Sequence, residues 1–303
     1  MRPPLVISIQ SQVVLGHVGN SAALFPMQAA GLEVAAIPTV VFSNTPDYPT
    51  LRGHPLPADF FAELLEGAWE RGLPQRADFL LSGYIGSVEV ARLVADFVAR
   101  AKAVNPRLRY FCDPVMGDEA PGLYVPEAIA EVLKEGLLPL ADYASPNPFE
   151  ISWLTGQPIR ELADLPRAAK ALRMASGAHL IATGCILRDT APGMLESVVL
   201  GPGGISRHPT PRLPEAKTGT GDLFAALVLA GLARGRGLAQ VMLDRLLAEA
   251  RALGYHRLSL ETGVEDVFAP ARALYARAGF AQCPPFEGYW EDPNSFFMTR
   301  SLV

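Results

Sequence analysis

Residues 77–118, ADFLLSGYIGSVEVARLVADFVARAKAVNPRLRYFCDPVMGD, carry the pattern that decides the fold. The apolar block at 77–83 is too short for a helix and reads as a buried strand. Residues 88–104 then repeat Val, Ala, Leu and Phe at three- and four-residue intervals, which predicts an amphipathic helix. Residues 109–118 return to an apolar block that ends in Asp113. A strand, a helix and a strand in succession form a βαβ unit, and its two strands run parallel because the helix carries the chain back.

The same alternation extends in both directions. Strands are predicted at 4–11, 33–42, 141–147 and 178–184, and helices at 19–31, 57–72, 126–136 and 162–177. Strands at 195–201 and 205–210 close the run. Such alternation predicts an α/β fold with a mostly parallel sheet covered by helices. Ligands in these sheets sit beyond the C-terminal strand ends. The polar groups there are Ser11, Gly83 with Tyr84, Asp113, Asn147 and Thr183. After residue 222 the texture changes to a helix from 222, a long amphipathic helix at 238–255, a strand at 256–262, a helix at 269–280 and a strand at 294–302.

Composition narrows the class. The chain has 303 residues, half of them hydrophobic, and a net charge of −5 with 26 basic residues. No long basic run occurs, which argues against nucleic acid or an anionic membrane as the main partner and for a small-molecule enzyme. The three cysteines form no CxxC or Cys/His cluster, so a reduced, cytoplasmic setting is expected. Residues 3–32 carry no charge but are broken by Gln10, Ser11, Gln12, His17, Asn20 and Ser21. They contain no membrane span or signal peptide pattern.

KTGTGDLFAAL (217–227) is the most chemically informative stretch. Gly219 and Gly221 let the backbone approach a ligand closely. A helix starting near Asp222 aims unpaired N–H groups and its positive end at the same point, forming an anion hole. Asp222 stands where it could take a proton from an attacking alcohol. A plain glycine turn with an Asp helix cap would look the same.

The rest of the chain weighs against that simpler reading. SIQSQVVLGHVGNSAALFPMQ (8–28), VVFSN (40–44), LSGYIGS (81–87), YFCDPVMGD (110–118), LYVPE (123–127), SPNPFE (145–150) and GTGDLFAA (219–226) occur in this order. Over about 5–233 the chain thereby resembles pyridoxal kinases of the ribokinase-like superfamily. The resemblance implies a three-layer α/β sandwich over 1–233, with ATP, Mg2+ and a monovalent cation (K+ or Na+). It places Ser11, Thr45 and Tyr84 around the substrate ring, and Asp113, Tyr124, Asn147, Glu150, Thr183 and Thr220 around ATP. Asp113, Asp118, Ser145, Thr183 and Glu150 are implied near the cations. Gly219, Thr220 and Gly221 are implied as the anion hole and Asp222 as the base that takes the proton from the attacking 5′-hydroxymethyl group of pyridoxal or a related B6 vitamer. Family members commonly form homodimers. One departure lies near the substrate: FSNTPDY (42–48) lacks a His found in many members, and Pro46 stiffens the loop.

Residues 234–303 carry a second pattern. RGRGLA (234–239), LLAEARALGYHRLSLET (246–262), PARALYARAGF (270–280) and FEGYWEDPNSFFMTRSL (286–302) resemble the C-terminal half of a GNAT acyltransferase. That resemblance implies acetyl-CoA contacts from Arg234, Gly237 and Ala239, and Tyr275 as a general acid. The boundary is expected within 232–237. Two alternatives follow from it: an acyl-CoA-dependent N-acetyltransferase, or a fusion that binds ligand and turns over poorly.

Overall fold

The computed structural model describes residues 2–212, 218–235, 240, 243, 246–247, 250–265, 268–286 and 288–302. The chain divides into two compact units, Met1–Ala233 and Arg234–Val303.

In the first unit, strands and helices alternate: β1 (Leu5–Leu15), α1 (Asn20–Ala29), β2 (Glu33–Asn44), β3 (Gly53–Pro55), α2 (Ala58–Glu70), α3 (Leu73–Arg76), β4 (Phe79–Ser82), α4 (Val88–Val104) and β5 (Arg109–Cys112). A small hairpin, β6 (Gly117–Asp118) and β7 (Gly122–Leu123), precedes α5 (Glu127–Val132), β8 (Tyr143–Ala144), α6 (Pro148–Thr155) and α7 (Asp164–Ala171). Strands β9 (His179–Cys185), β10 (Met194–Gly201) and β11 (Gly204–Pro211) lead to α8 (Thr220–Ala233).

Nine strands form one sheet in the order β11-β10-β9-β8-β5-β4-β1-β2-β3. The run from β9 to β2 is parallel, and β3, β10 and β11 are antiparallel additions at the edges. β1 lies between β4 and β2, with Ile9 opposite Ser82 and Ile37. Its first seven residues are all buried, which is why no polar alternation marks it. Strands and helices share one core in which Leu5, Ile7 and Ile9 meet Phe61, Val94, Phe97 and Tyr110.

Helix α4 follows directly from its sequence. Ser87 accepts a hydrogen bond from the Val90 amide at 3.2 Å and caps the start. Val90, Ala91, Val94, Phe97, Val98 and Ala101 form its buried stripe. Lys102 in the last turn donates to the Leu140 carbonyl and to Asp142, each at 2.7 Å. Truncating Phe97 would cost about 3–5 kcal/mol, the usual cost of removing a buried aromatic ring.

Several elements depart from the sequence reading. β1 runs four residues further, to Leu15, and leaves Val14 and Leu15 exposed. The helix predicted at 126–136 is α-helical only to Val132 and then widens into a π turn over Leu133–Leu137. The strand expected over 141–147 keeps two residues, because Asn147 already caps α6. α6 itself has no counterpart in the periodicity reading.

The second unit has a three-stranded antiparallel sheet in the order β12 (Arg257–Gly263), β14 (Ser295–Ser301), β13 (Ala281–Gln282). A helix over Ala269–Arg277 lies between β12 and β13 in the chain. Leu243, Leu247, Phe280 and Met298 form a small core of their own. The third strand falls at 281–282 rather than within 286–302.

Candidate active site

The site is built from the β1–α1 turn, the ends of β4 and β5, the start of α6 and the start of α8. Ser11 is buried near the end of the covered part of β1. The chain turns back at Gly16 (φ 102) and Gly19 (φ 51), a region of backbone space that favours glycine. A Cβ on Gly19 would lie 2.2 Å from Ser11 Oγ, and one on Gly16 would lie 2.4 Å from Thr45 Cγ2. Both Ser11 and Thr45, expected at the substrate ring, therefore bear on this one turn. Thr45 is buried, and its amide donates to the Leu15 carbonyl at 3.1 Å. Tyr84 is half-buried after β4, and burial pushes its phenol pKa up. Its carbonyl accepts from Thr39 Oγ1 at 2.7 Å.

The acidic groups do not share one environment. Asp113 is buried just past β5, where Ser145 Oγ donates to its Oδ1 at 2.8 Å. Its Oδ2 is buried with no hydrogen-bond partner. Burial first, and the facing Asp222 carboxylate second, push its pKa up to about 7. Asp118 is exposed on the β6–β7 hairpin and accepts the Glu119 amide at 2.7 Å. The acid that repels Asp113 is thus Asp222, and the expected Asp113/Asp118 pair is split between a buried and an exposed position.

Asn147 and Glu150 form a capping box at the start of α6. The Glu150 amide donates to Asn147 Oδ1 and the Asn147 amide to Glu150 Oε2, both at 2.8 Å. Glu150 Oε1 also accepts the Met116 amide at 3.0 Å, and Asn147 Nδ2 donates to the Gly117 carbonyl at 2.9 Å. Both carboxylate oxygens of Glu150 are occupied by backbone, and the box ties α6 to the 113–118 loop. Burial pushes Glu150 well above the usual carboxylate range, with Asp113 adding to it. Thr183 is half-buried in β9, its amide donating to the Pro146 carbonyl at 3.1 Å. The Tyr124 amide donates to the Met116 carbonyl at 3.0 Å. Tyr124 is about half exposed; partial burial of its phenol, then Glu150, Asp113, Asp118 and Asp222, raise its pKa.

Residues 218–222 close the site. Gly219 has φ 86, and a Cβ there would lie 1.7 Å from the His17 carbonyl oxygen. The anion turn therefore lies directly against the β1–α1 turn. The Leu223 amide donates to the Gly219 carbonyl at 3.0 Å, so the first turn of α8 is helical from Thr220. Gly221 has an ordinary φ, and a Cβ there would approach only Asp113 Oδ2, at 4.0 Å. Asp222 is buried, with Oδ1 unpartnered. Burial raises its pKa, and the Gly19 backbone amide lowers it.

Ser11, Thr45, Asp113, Ser145, Gly219, Gly221 and Asp222 are thus joined by direct neighbours. Gly19, Ser8, Gln10 and Asn20 are not among the expected site residues, although Gln10 and Asn20 interrupt the charge-free 3–32 stretch. Of the acyl-CoA candidates, Gly237 and Ala239 lie outside the described residues. Arg234 follows α8 just before Gly235 (φ 63), and Tyr275 packs edge-on to Phe280, at 5.9 Å, against the second unit's core.

A family model described as phosphomethylpyrimidine kinase matches residues 19–244. The chain belongs to the phosphomethylpyrimidine kinase family. Among this family's relatives, a pyridoxal kinase of Leifsonia xyli is 39% identical over 278 residues, covering 89% of this chain and 98% of that protein. One of Rubrobacter xylanophilus is 38% identical over 273 residues, covering 88% and 94%. The solved pyridoxal kinase of Leishmania donovani, in complex with ADP and pyridoxine, superposes with a TM-score of 0.69 at 32% identity, covering 82% of this chain and 88% of that one. Pyridoxal kinase similarity of the ribokinase-like type thus spans most of the chain. The family match also runs past Ala233, the last residue of the first unit.

Proposed function

We propose that this kinase transfers the γ-phosphoryl group of ATP to the 5′-hydroxymethyl oxygen of pyridoxal, with Asp222 as the base. The carrying observation is the buried, partnerless Asp222 oxygen at the head of α8, beside the Gly219 turn. The hydroxyl oxygen bonds to the γ-phosphorus, the bond to the ADP bridging oxygen breaks, and the hydroxyl proton passes to Asp222. Amides of Gly219, Thr220 and Gly221 at the helix start face the developing charge. Ser11, Thr45 and Tyr84 hold the ring, and Tyr124, Asn147, Thr183 and Thr220 bear on the nucleotide.

A hard cation fits at Asp113, whose buried Oδ2 has no partner. Among the described residues no three His, Cys, Asp or Glu side chains gather at one point. A cation held there would take its remaining ligands from nucleotide phosphates and water. Asp118, Ser145, Thr183 and, through water, Glu150 are our assignment for the surroundings of Mg2+ and a monovalent ion. Bound magnesium supplies positive charge to the phosphate oxygens.

Three smaller assignments belong to the same reading. A homodimer is supported by the exposed apolar side chains of Val14, Leu15 and Phe25. A cytoplasmic setting is supported by free Cys112, Cys185 and Cys283. No helix among the described residues is long and apolar enough to cross a membrane. For residues 234–303 we retain the acyltransferase-type half-domain, supported by its strand–helix–strand–strand order and separate core. Tyr275 in that core serves packing.

The test is pyridoxal 5′-phosphate formation by the full chain with ATP and magnesium. Asp222→Asn should lower kcat by about 10²-fold or more. An unchanged rate would remove Asp222 from the base role, and acetyl-CoA binding would revive the acyltransferase alternative.

A further inference from the structure

We propose that Asn20 is a positioning residue for this phosphoryl transfer, holding the Gly16–Gly19 turn on which Ser11, Thr45, Gly219 and Asp222 all bear. The inference rests on the kinase reading above. Four separate contacts converge on the turn. Gly19 fits over Ser11, Gly16 fits over Thr45, and the His17 carbonyl abuts Gly219. The Gly19 amide faces the Asp222 carboxylate. Helices α1 and α8, which begin on either side of this contact, pack together.

A turn with two positive-φ glycines is intrinsically loose, since glycine loses the most backbone freedom on folding. Gly19 caps α1 with no side-chain hydrogen bond to help it. What fixes the turn is the next residue. Asn20 is fully buried, and its Oδ1 accepts from Ser8 Oγ at 2.8 Å. Its Nδ2 donates to the Gln10 carbonyl at 3.3 Å. Gln10 Nε2 in turn donates to Ser8 Oγ at 2.9 Å, closing a three-residue network on β1. Ser8, Gln10 and Asn20 are all completely buried, so the network works without competing water. It also reaches the ring-binding side, because Gly83, next to Tyr84, leaves room for Gln10 Oε1 where a Cβ would sit 2.6 Å away.

An apolar side chain at position 20 would fill space equally well. The Asn20 amide both accepts from the Ser8 hydroxyl and donates to the Gln10 carbonyl, which no apolar side chain can do. The network anchors the turn to the buried part of β1, between β4 and β2, and the turn sets where Asp222 and the Gly219 amide point. All three residues are completely buried and none is assigned to the ring or the nucleotide, so loss of the network should alter the chemical step more than binding.

The experiment compares Asn20→Ala and Ser8→Ala in the full chain, alone and combined with Asp222→Asn. The readouts are kcat, both KM values and Tm. Asn20→Ala should lower kcat by about tenfold or more, as misplacing reacting groups does, while both KM values stay within about threefold. In the Asp222→Asn background the same change should add less than about a further twofold. Ser8→Ala leaves the Asn20–Gln10 bond in place, and should lower kcat by a few-fold, about the effect of one hydrogen bond. It carries the test if Asn20→Ala does not fold. A wild-type kcat, a loss confined to KM, or effects that multiply with Asp222→Asn would overturn the inference. A wild-type rate for Asp222→Asn alone would instead sink the base assignment.

Discussion

Gly219→Ala offers the sharpest test of how the anion turn is held. The added Cβ would lie 1.7 Å from the His17 carbonyl oxygen, 2.8 Å from its carbon and 3.4 Å from Val18 Cα. All three atoms are backbone, so no side chain can swing away. A carbon and an oxygen rest at roughly 3.3 Å, close to the 3.5–4.0 Å optimum between carbons, so one of the two turns must move by about 1.5 Å. The residue would also be held at φ 86, which costs about 1–2 kcal/mol for a residue with a Cβ. A displacement of about 1 Å at reacting groups costs about 10²-fold in rate, so kcat should fall by at least that much. Gly221→Ala is the control for the backbone argument. Its Cβ would meet nothing nearer than 4.0 Å, and alanine is the better helix former there. Circular dichroism melts and steady-state phosphorylation would be measured on both. Gly221→Ala should melt at or slightly above the wild-type temperature. If Gly219→Ala kept kcat within about threefold, the close approach of the two turns would not matter to catalysis.

Asp113→Asn should stabilise the protein in chelator as pH rises. The folded carboxyl pKa is raised from 3.8 to about 7, so the folded state holds the proton longer and this group's contribution falls between pH 4 and 7. At about 1.4 kcal/mol per pH unit the limit is about 4 kcal/mol. Urea melts at pH 5 and pH 8 should show the variant's advantage growing with pH, and a constant difference would refute the cause. Asn147→Ala should cost about 1 kcal/mol through lost capping and raise the KM for ATP, read by melts and kinetics. Arg207 contacts Glu196 at 2.6 Å and Asp189 at 2.6 Å, while Glu196 is buried. Arg207→Ala would leave that acid unpaired, and should cost about 3–5 kcal/mol in denaturant melts with little change in KM.

The parallel sheet was legible because its strands are short apolar blocks between regular helices, and α4 was readable to the residue. α6 was not, because PFEISWLT is apolar on several sides and has no helical period. Its start signal, Asn147 followed three residues later by Glu150, was present as a capping box. Asp222 and Gly219 were legible as a glycine turn leading into an acid-headed helix. Their fit against residues 16–19 was not, since the contact spans some two hundred positions of chain. Gln10 and Asn20 registered only as polar breaks in a charge-free stretch, and Ser8 not at all, because side-chain pairing between a strand and the next helix leaves no periodic mark.

That distance in sequence has a consequence for synthesis. The site's first wall emerges from the ribosome with residues 8–20, and its proposed base only with residue 222. On the proposed roles, a nascent chain lacking α8 would hold the ring-binding residues with neither proton acceptor nor phosphate seat. Contacts between such remote segments form late, because closing the intervening loop must come first. With Asp222 in the proposed role, catalytic competence would be switched on in a single late event, when the end of the unit folds back onto its beginning.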